Sequence, residues 1–183
     1  HVAVVGATGA VGIEMIKTLE RRDFPLSQLT LLASARSMGK TLAYRGQDLP
    51  VAELRKESFK GVDIALFSAG SDISRQFAPA AAAAGCVVID NSSAYRMDNG
   101  VPLIVPEING ADVQQHQGII ANPNCTTAVT LMALYPLHQV FSVTRILAST
   151  YQAVSGTGAK AIAELRRQVD QIVRGEPVKA EVY

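Results

Sequence analysis

The sequence predicts an α/β protein: a doubly wound, mostly parallel sheet with helices on both faces, followed by the start of a second unit. Three observations predict it. Short apolar runs alternate with segments carrying apolar residues at helical spacing, the order that gives parallel strands and right-handed crossovers. Several of these runs are apolar at every position, as strands covered on both faces are. A glycine-rich turn stands between the first run and the first helical segment.

The elements follow in order. His1 to Val5 is an apolar run that ends at a glycine and reads as a buried strand. After the glycines, Val11, Met15, Ile16 and Leu19 recur at helical spacing with Glu14, Lys17, Glu20 and Arg21 between them. Leu29 to Ala33 is a second strand, and Leu42 to Val51 a small hairpin around Arg45 to Asp48. Val62 to Phe67 is a third buried strand. Asp72 caps a helix that runs to Ala84. Cys86 to Ile89 and Gly118 to Ala121 are two further strands. Beyond Cys125 the character changes. A helix from Thr126 to about Tyr135 is expected to end near Pro136. A long apolar strand, Phe141 to Val154, follows, and then a helix marked by Ile162, Leu165, Val169 and Ile172 that stops at Gly175. The expected boundary lies near Cys125, with one domain over 1–124 and the incomplete start of another over 125–183.

Composition narrows the function classes. With 48% hydrophobic and 18% charged residues the chain is globular, neither disordered nor membrane-embedded. A net charge of +1 gives no overall field toward nucleic acid or an acidic membrane. The 2 cysteines make no disulfide framework, so a reducing, cytoplasmic setting is expected. The chain opens at His1 without a methionine, as a trimmed or partial chain would. No metal-ligand pattern is present, and none is expected.

Gly6-Ala-Thr-Gly-Ala-Val-Gly12 follows a strand and opens a helix. Glycines permit the tight turn and let backbone N–H groups approach a pyrophosphate, and the helix N-terminus adds positive potential. In that context the triplet marks a Rossmann-type dinucleotide site. The end of the second strand selects the cofactor. An NAD site usually carries an acid there for the ribose 2′-hydroxyl. This chain has Ser34-Ala-Arg36-Ser37 and no acid. Arg36 and Ser37 can hold a 2′-phosphate by charge-assisted hydrogen bonds, which favours NADP(H).

Asn122-Pro-Asn-Cys125-Thr-Thr127 is the most specific stretch. It places Cys125 in the first turn of a helix, where free amides and the helix dipole favour a thiolate. The same amides can stabilise an oxyanion on a carbonyl attacked by sulfur. A cysteine nucleophile beside a nicotinamide site suggests aldehyde oxidation through a thioester that phosphate then cleaves. The alternative for Cys125 is a buried structural thiol, the reading given to Cys86 in its apolar run.

Six motifs in order resemble one family, bacterial aspartate-semialdehyde dehydrogenases. They are the glycine turn, Ser34 to Ser37, Asp90-Asn-Ser-Ser-Ala-Tyr-Arg96, Val105-Pro-Glu-Ile-Asn109, Asn122 to Thr127, and Tyr151-Gln-Ala-Val-Ser-Gly156. The resemblance implies an NADPH-dependent reduction of aspartyl phosphate to aspartate semialdehyde and phosphate, in lysine, methionine, threonine and diaminopimelate biosynthesis. It implies an α+β substrate and dimerisation domain after the first, a homodimer for the full-length enzyme, small-molecule substrates, and no nucleic-acid or membrane partner. It makes Cys125 the nucleophile and Gln152 the residue that contacts substrate and orients the acyl intermediate. Arg96 would bind phosphate, with Asn124 nearby. Gly6, Thr8, Gly9, Ala10, Val11 and Gly12 would line the pyrophosphate, Arg36 and Ser37 the 2′-phosphate, and Ser155 and Gly156 the nicotinamide side. The family's acid–base histidine and substrate-binding arginine and lysine match nothing here: His1, His116 and His138 stand in other contexts. This chain alone is therefore expected to be inactive.

Two other readings stay open. N-acetyl-glutamyl-phosphate reductases share the chemistry, but their cysteine usually stands in an Asn-Pro-Gly-Cys-Tyr context that Asn124 and Thr126 do not match. Glyceraldehyde-phosphate dehydrogenases share Cys-Thr-Thr but use the acidic residue missing here. The other reading, of a different class, is a non-catalytic NADP-binding module.

Overall fold

The apolar run at the start of the chain forms β1, Val2–Val5, buried at every position. In the computed structural model, which describes residues 1–182, α1 (Ala10–Arg21) follows, then β2 (Leu29–Ala33), parallel to β1 with Val5 opposite Leu32. A short turn of 3-10 helix at Ala35–Ser37 leads into a hairpin of β3 (Thr41–Tyr44) and β4 (Gln47–Glu53). Its two turn residues, Arg45 and Gly46, have φ of 49° and 74°, the left-handed pair whose twist suits a two-residue hairpin. There follow β5 (Ile64–Phe67), α2 (Ser71–Ala83), β6 (Val87–Asp90), α3 (Pro106–Asn109), β7 (Ile119–Ala121), α4 (Cys125–Phe141) and α5 (Ala159–Val173).

The strands form one sheet in the order β3-β4-β2-β1-β5-β6-β7. Only β3 runs antiparallel to its neighbour. Successive residues of β1 point to opposite faces. Ala3 and Val5 join a core with Phe59, Phe67, Ala78 and Ala81, covered by α2. Val2 and Val4 join Ile16, Leu19, Leu31 and Val51, covered by α1. Each fully buried large side chain in these layers contributes roughly 1.5–3 kcal/mol relative to exposure. The strand order grows outward from β1 in both directions. The connections therefore diverge between β1 and β5, and the crevice at the carboxyl ends of those two strands is where such folds bind ligands.

The α/β class, the mostly parallel sheet, the hairpin and the helix before Gly175 agree with the sequence reading; Gly175 takes φ 69°. Three expectations are corrected. Asp72 lies in the first turn of α2, whose N-cap is Gly70; an acid there still favours the positive helix end. The helix after Cys125 does not stop at Pro136 but continues to Phe141 and ends at Ser142 in the left-handed region, φ 52°. Proline there gives no N–H to the carbonyl four residues back, yet the good helix formers Leu131, Met132, Ala133 and Leu134 before it and Leu137 after it carry the helix through. Pro79 sits inside α2 in the same way. Finally, Phe141 to Val154 is not a strand: Phe141 closes α4, and the residues after it have no ladder partner among the described residues. A run apolar enough for a strand does not become one without a neighbour to take its N–H and C=O groups.

The chain divides into two units, His1–Ile146 and Leu147 onward. In the second, α5 carries the expected apolar stripe, with Leu165, Val169 and Ile172 from 45% to 66% exposed. Its Glu164 is buried and accepts from the backbone N–H of Glu181 and of Val182, the latter at 2.8 Å.

Candidate functional site

The glycine turn sits at the β1–β5 crevice. Gly6 has φ 86°, and a Cβ there would come within 2.9 Å of the Ser68 backbone that follows β5. At Gly12 a Cβ would lie 2.2 Å from the Gly6 carbonyl oxygen, so the first turn of α1 packs against the strand end at a distance only glycine allows. Gly9 caps α1 without a side chain. The amides of Ala10, Val11 and Gly12 belong to the first turn, which has no intrahelical acceptors to offer them. This cradle, kept open by the absence of Cβ atoms, fits a pyrophosphate.

Beside it, Gly6 and Ala7 donate their N–H groups to Leu32 O at 2.8 and 3.1 Å, tying the turn to β2. Arg36 is exposed in the turn after β2. Ser37 is buried, with its hydroxyl 3.1 Å from that of Thr8. The basic residue and the glycine turn are thus linked through two hydroxyls.

The turn that carries the cysteine leaves the carboxyl end of β7. Asp90 of β6 stands opposite Ala121 of β7, so Asn91 and Asn122 emerge side by side just beyond the sheet. Asn122 Nδ2 donates to Asn91 Oδ1 at 2.7 Å, and Asn122 N donates to Asp90 O at 2.9 Å. Arg96 closes the same junction: its Nε donates to Asn122 O at 2.9 Å and its Nη2 to Asn91 O at 3.1 Å. Two of its five N–H donors are so engaged, and the rest of the fork stays available to an anion.

Pro123 is buried and Asn124 caps α4. Asn124 Oδ1 accepts from the amides of Thr126 and Thr127 at 2.9 and 3.4 Å. Cys125 is the first residue of α4 and its side chain is exposed. The sequence expected free amides around the sulfur; two of those in the first turn, Thr126 N and Thr127 N, are instead taken by Asn124 Oδ1. Cys86 is the opposite case. It is 1% exposed in the core, and burial, helped by the Asp63 charge, pushes its thiol up to about 11.

In the second unit, Gln152, Ser155 and Gly156 are exposed. The Gln152 amide lies over Gly156, where an added Cβ would meet Nε2 at 2.6 Å. His116 Nδ1 accepts from Gly118 N at 3.0 Å, a local loop bond, and His138 is exposed on α4. Among the described residues, no group of three or more His, Cys, Asp and Glu side chains is arranged to hold a metal, and no helix is long and apolar enough to cross a membrane. Sequence reasoning missed the Asn91–Asn122 pair and the buried Asp90 beneath it. Both asparagines lie within motifs read for other residues, and only the register of β6 on β7 brings them together.

A parallel sheet whose order reverses at a glycine cradle defines a Rossmann-type nucleotide-binding protein. Comparison with known proteins takes this to a family. The NAD binding domain of the semialdehyde dehydrogenases matches residues 1–116, and their dimerisation domain matches residues 134–183. The chain belongs to the semialdehyde dehydrogenase family. It is 52% identical to the aspartate-semialdehyde dehydrogenase of Bacillus subtilis (strain 168), over all of this chain and 53% of that protein. It spans about half the length of the curated relatives it matches. Among solved structures, aspartate semialdehyde dehydrogenase II from Vibrio cholerae, complexed with ASA, is 44% identical with a TM-score of 0.93, covering all of this chain and 55% of that one. The Candida albicans enzyme, solved with NADP, is 29% identical with a TM-score of 0.62, covering 78% of this chain and 47% of that one.

Proposed function

We propose that the protein containing this chain is an NADP-dependent, phosphorylating aspartate-semialdehyde dehydrogenase, a cytoplasmic biosynthetic enzyme that works as a homodimer. The observation that carries the reading is the exposed Cys125 thiol at the first residue of α4, on the same carboxyl edge of the sheet as the glycine cradle. Bound at that cradle, NADP(H) supplies or accepts the hydride. Gly6, Thr8, Gly9, Ala10, Val11 and Gly12 receive the pyrophosphate, Arg36 the 2′-phosphate, and Ser155 and Gly156 the nicotinamide side.

In the reductive direction the Cys125 thiolate attacks the acyl carbon of aspartyl phosphate. The carbon–sulfur bond forms, the carbon–oxygen bond to phosphate breaks, and phosphate leaves with the bonding electron pair. The amide of Cys125 stabilises the oxyanion on that carbon. Arg96 holds the phosphoryl group with the donors left free by Asn91 and Asn122, and the Asn124 amide nitrogen stands beside it. Gln152 orients the acyl group. Once the carbon is reduced, its oxyanion re-forms the carbonyl and expels the Cys125 sulfur as thiolate, so the one proton taken up overall goes to the departing phosphate. The resemblance to the family implies that the acid–base histidine that moves it, and the groups that bind the substrate carboxylate, lie in the remainder of the protein. The isolated 183-residue chain then binds cofactor but does not turn over.

The test is substrate discrimination by the complete enzyme. With NADP and phosphate, aspartate semialdehyde is expected to support turnover and N-acetyl-glutamate semialdehyde is not. Turnover with only the acetylated substrate would overturn the assignment, and NADP binding without turnover on either would leave a binding module.

A further inference from the structure

We propose that Asp90 is a positioning residue for phosphate recognition: from inside the core it sets the loop that delivers Arg96. This rests on the phosphate role proposed for Arg96 and adds to it the group that places the arginine. Asp90 ends β6 and is wholly buried. A carboxyl group there is costly unless it is hydrogen-bonded, and here three donors reach it. Oδ1 accepts from the Ser74 hydroxyl at 2.7 Å and from the Ser92 N–H at 3.1 Å. Oδ2 accepts from the Ser92 hydroxyl at 2.7 Å.

The bonds continue along the loop. The Ser92 hydroxyl accepts from Ala94 N at 3.1 Å. Tyr95, buried, donates its hydroxyl to Ser74 O at 3.2 Å. Arg75, next to Ser74 on α2, lies 4.4 Å over the Tyr95 ring, donates to Ala94 O and pairs with Asp98. Residues on both sides of Arg96 are therefore pinned to α2 and β6, and Arg96 itself has no choice but the junction with Asn91 and Asn122. An aliphatic core residue would hold a strand end as well. A side chain with two acceptor oxygens suits this position because the loop beyond it turns its own hydroxyl and amide donors inward. No reaction step uses Asp90, so its two acceptor oxygens are explained by what they position.

The experiment is steady-state kinetics of the complete enzyme in the oxidative direction, with inorganic phosphate as the varied substrate. In Asp90→Asn one of the three donors meets an NH2 group instead of an oxygen, and the KM for phosphate is expected to rise about tenfold, with kcat and the KM for NADP unchanged. Ser92→Ala, which keeps the buried carboxylate and removes only the loop's hydroxyl, is expected to shift the phosphate KM in the same direction and serves if Asp90→Asn does not fold. A lowered Tm with an unchanged phosphate KM in the folded variants would overturn the proposal, leaving Asp90 as a fold-stabilising residue. Absence of phosphate-dependent turnover in the unsubstituted enzyme would instead overturn the functional reading, and this proposal with it.

Discussion

The hydroxyls of Thr8 and Ser37 stand 3.1 Å apart, and this one bond joins the glycine turn after β1 to the basic turn after β2. Ser37 is buried while its neighbour Arg36 is exposed. Under the proposed function the two residues divide the work at a 2′-phosphate: Arg36 would supply the charge and Ser37 set where the turn sits. Arg36→Ala is expected to raise the KM for NADP about tenfold, the loss of one charge-assisted contact, while leaving the KM for NAD unchanged. Ser37→Ala is expected to weaken both cofactors by a similar factor. Kinetics with each cofactor checks the pair, and equal loss for both in Arg36→Ala would remove the arginine from the 2′-phosphate.

At Gly12 the space decides the outcome. A methyl group would sit 2.2 Å from the Gly6 carbonyl oxygen, which is backbone and cannot swing away. Gly12→Ala is expected to cost about 1–3 kcal/mol of stability. Because the helix must lift off the strand, it also weakens NADP binding. Thermal unfolding with and without NADP reads both effects: a lower Tm, and a smaller rise on adding cofactor.

The two cysteines separate by pH. Burial raises the Cys86 thiol from 9.0 to about 11. A raised acid favours the neutral form in the folded state. Its contribution to stability is thus complete below the unfolded value, falls as pH climbs above 9.0, and is gone once pH passes through about 11. Iodoacetamide is expected to label exposed Cys125 at neutral pH and to leave Cys86 untouched until the protein unfolds, read by peptide mass spectrometry. Equal, slow labelling of both would contradict the nucleophile reading.

The sheet was legible in the sequence because its strands are short, apolar and bounded by glycine, and both core layers follow from the alternation along β1. The helix of Ile162, Leu165, Val169 and Ile172 was legible from its spacing. The errors cluster after Cys125. Pro136 reads locally as a stop, yet α4 passes it. The run after Phe141 has strand composition but, among the described residues, no strand beside it, and pairing is a property no single segment carries. At the site, the glycine turn, the basic turn and the cysteine each announce themselves by residue type. The Asn91–Asn122 bond does not, because it depends on Asp90 standing opposite Ala121 in the sheet.

Asn124 offers a test that separates structure from chemistry. Its Oδ1 caps α4 through Thr126 and Thr127. Asn124→Ala is expected to cost about 1 kcal/mol. Asn124→Asp keeps the cap, so Tm is expected to hold, but it sets a negative charge at the proposed phosphate site. Phosphate KM is then expected to rise with stability intact, whereas parallel changes in Tm and phosphate KM across both variants would reduce Asn124 to a cap.

The proposed function requires an acyl–enzyme bond at Cys125, which a direct measurement would detect. The complete enzyme is mixed with aspartate semialdehyde and NADP in the absence of phosphate, quenched in acid, digested and weighed peptide by peptide. The aspartyl adduct is expected on the peptide that carries Cys125, and is expected to disappear when phosphate is added before the quench. Turnover that proceeds with an adduct on a different residue, or that survives Cys125→Ala, would contradict the assignment of this thiol as the nucleophile.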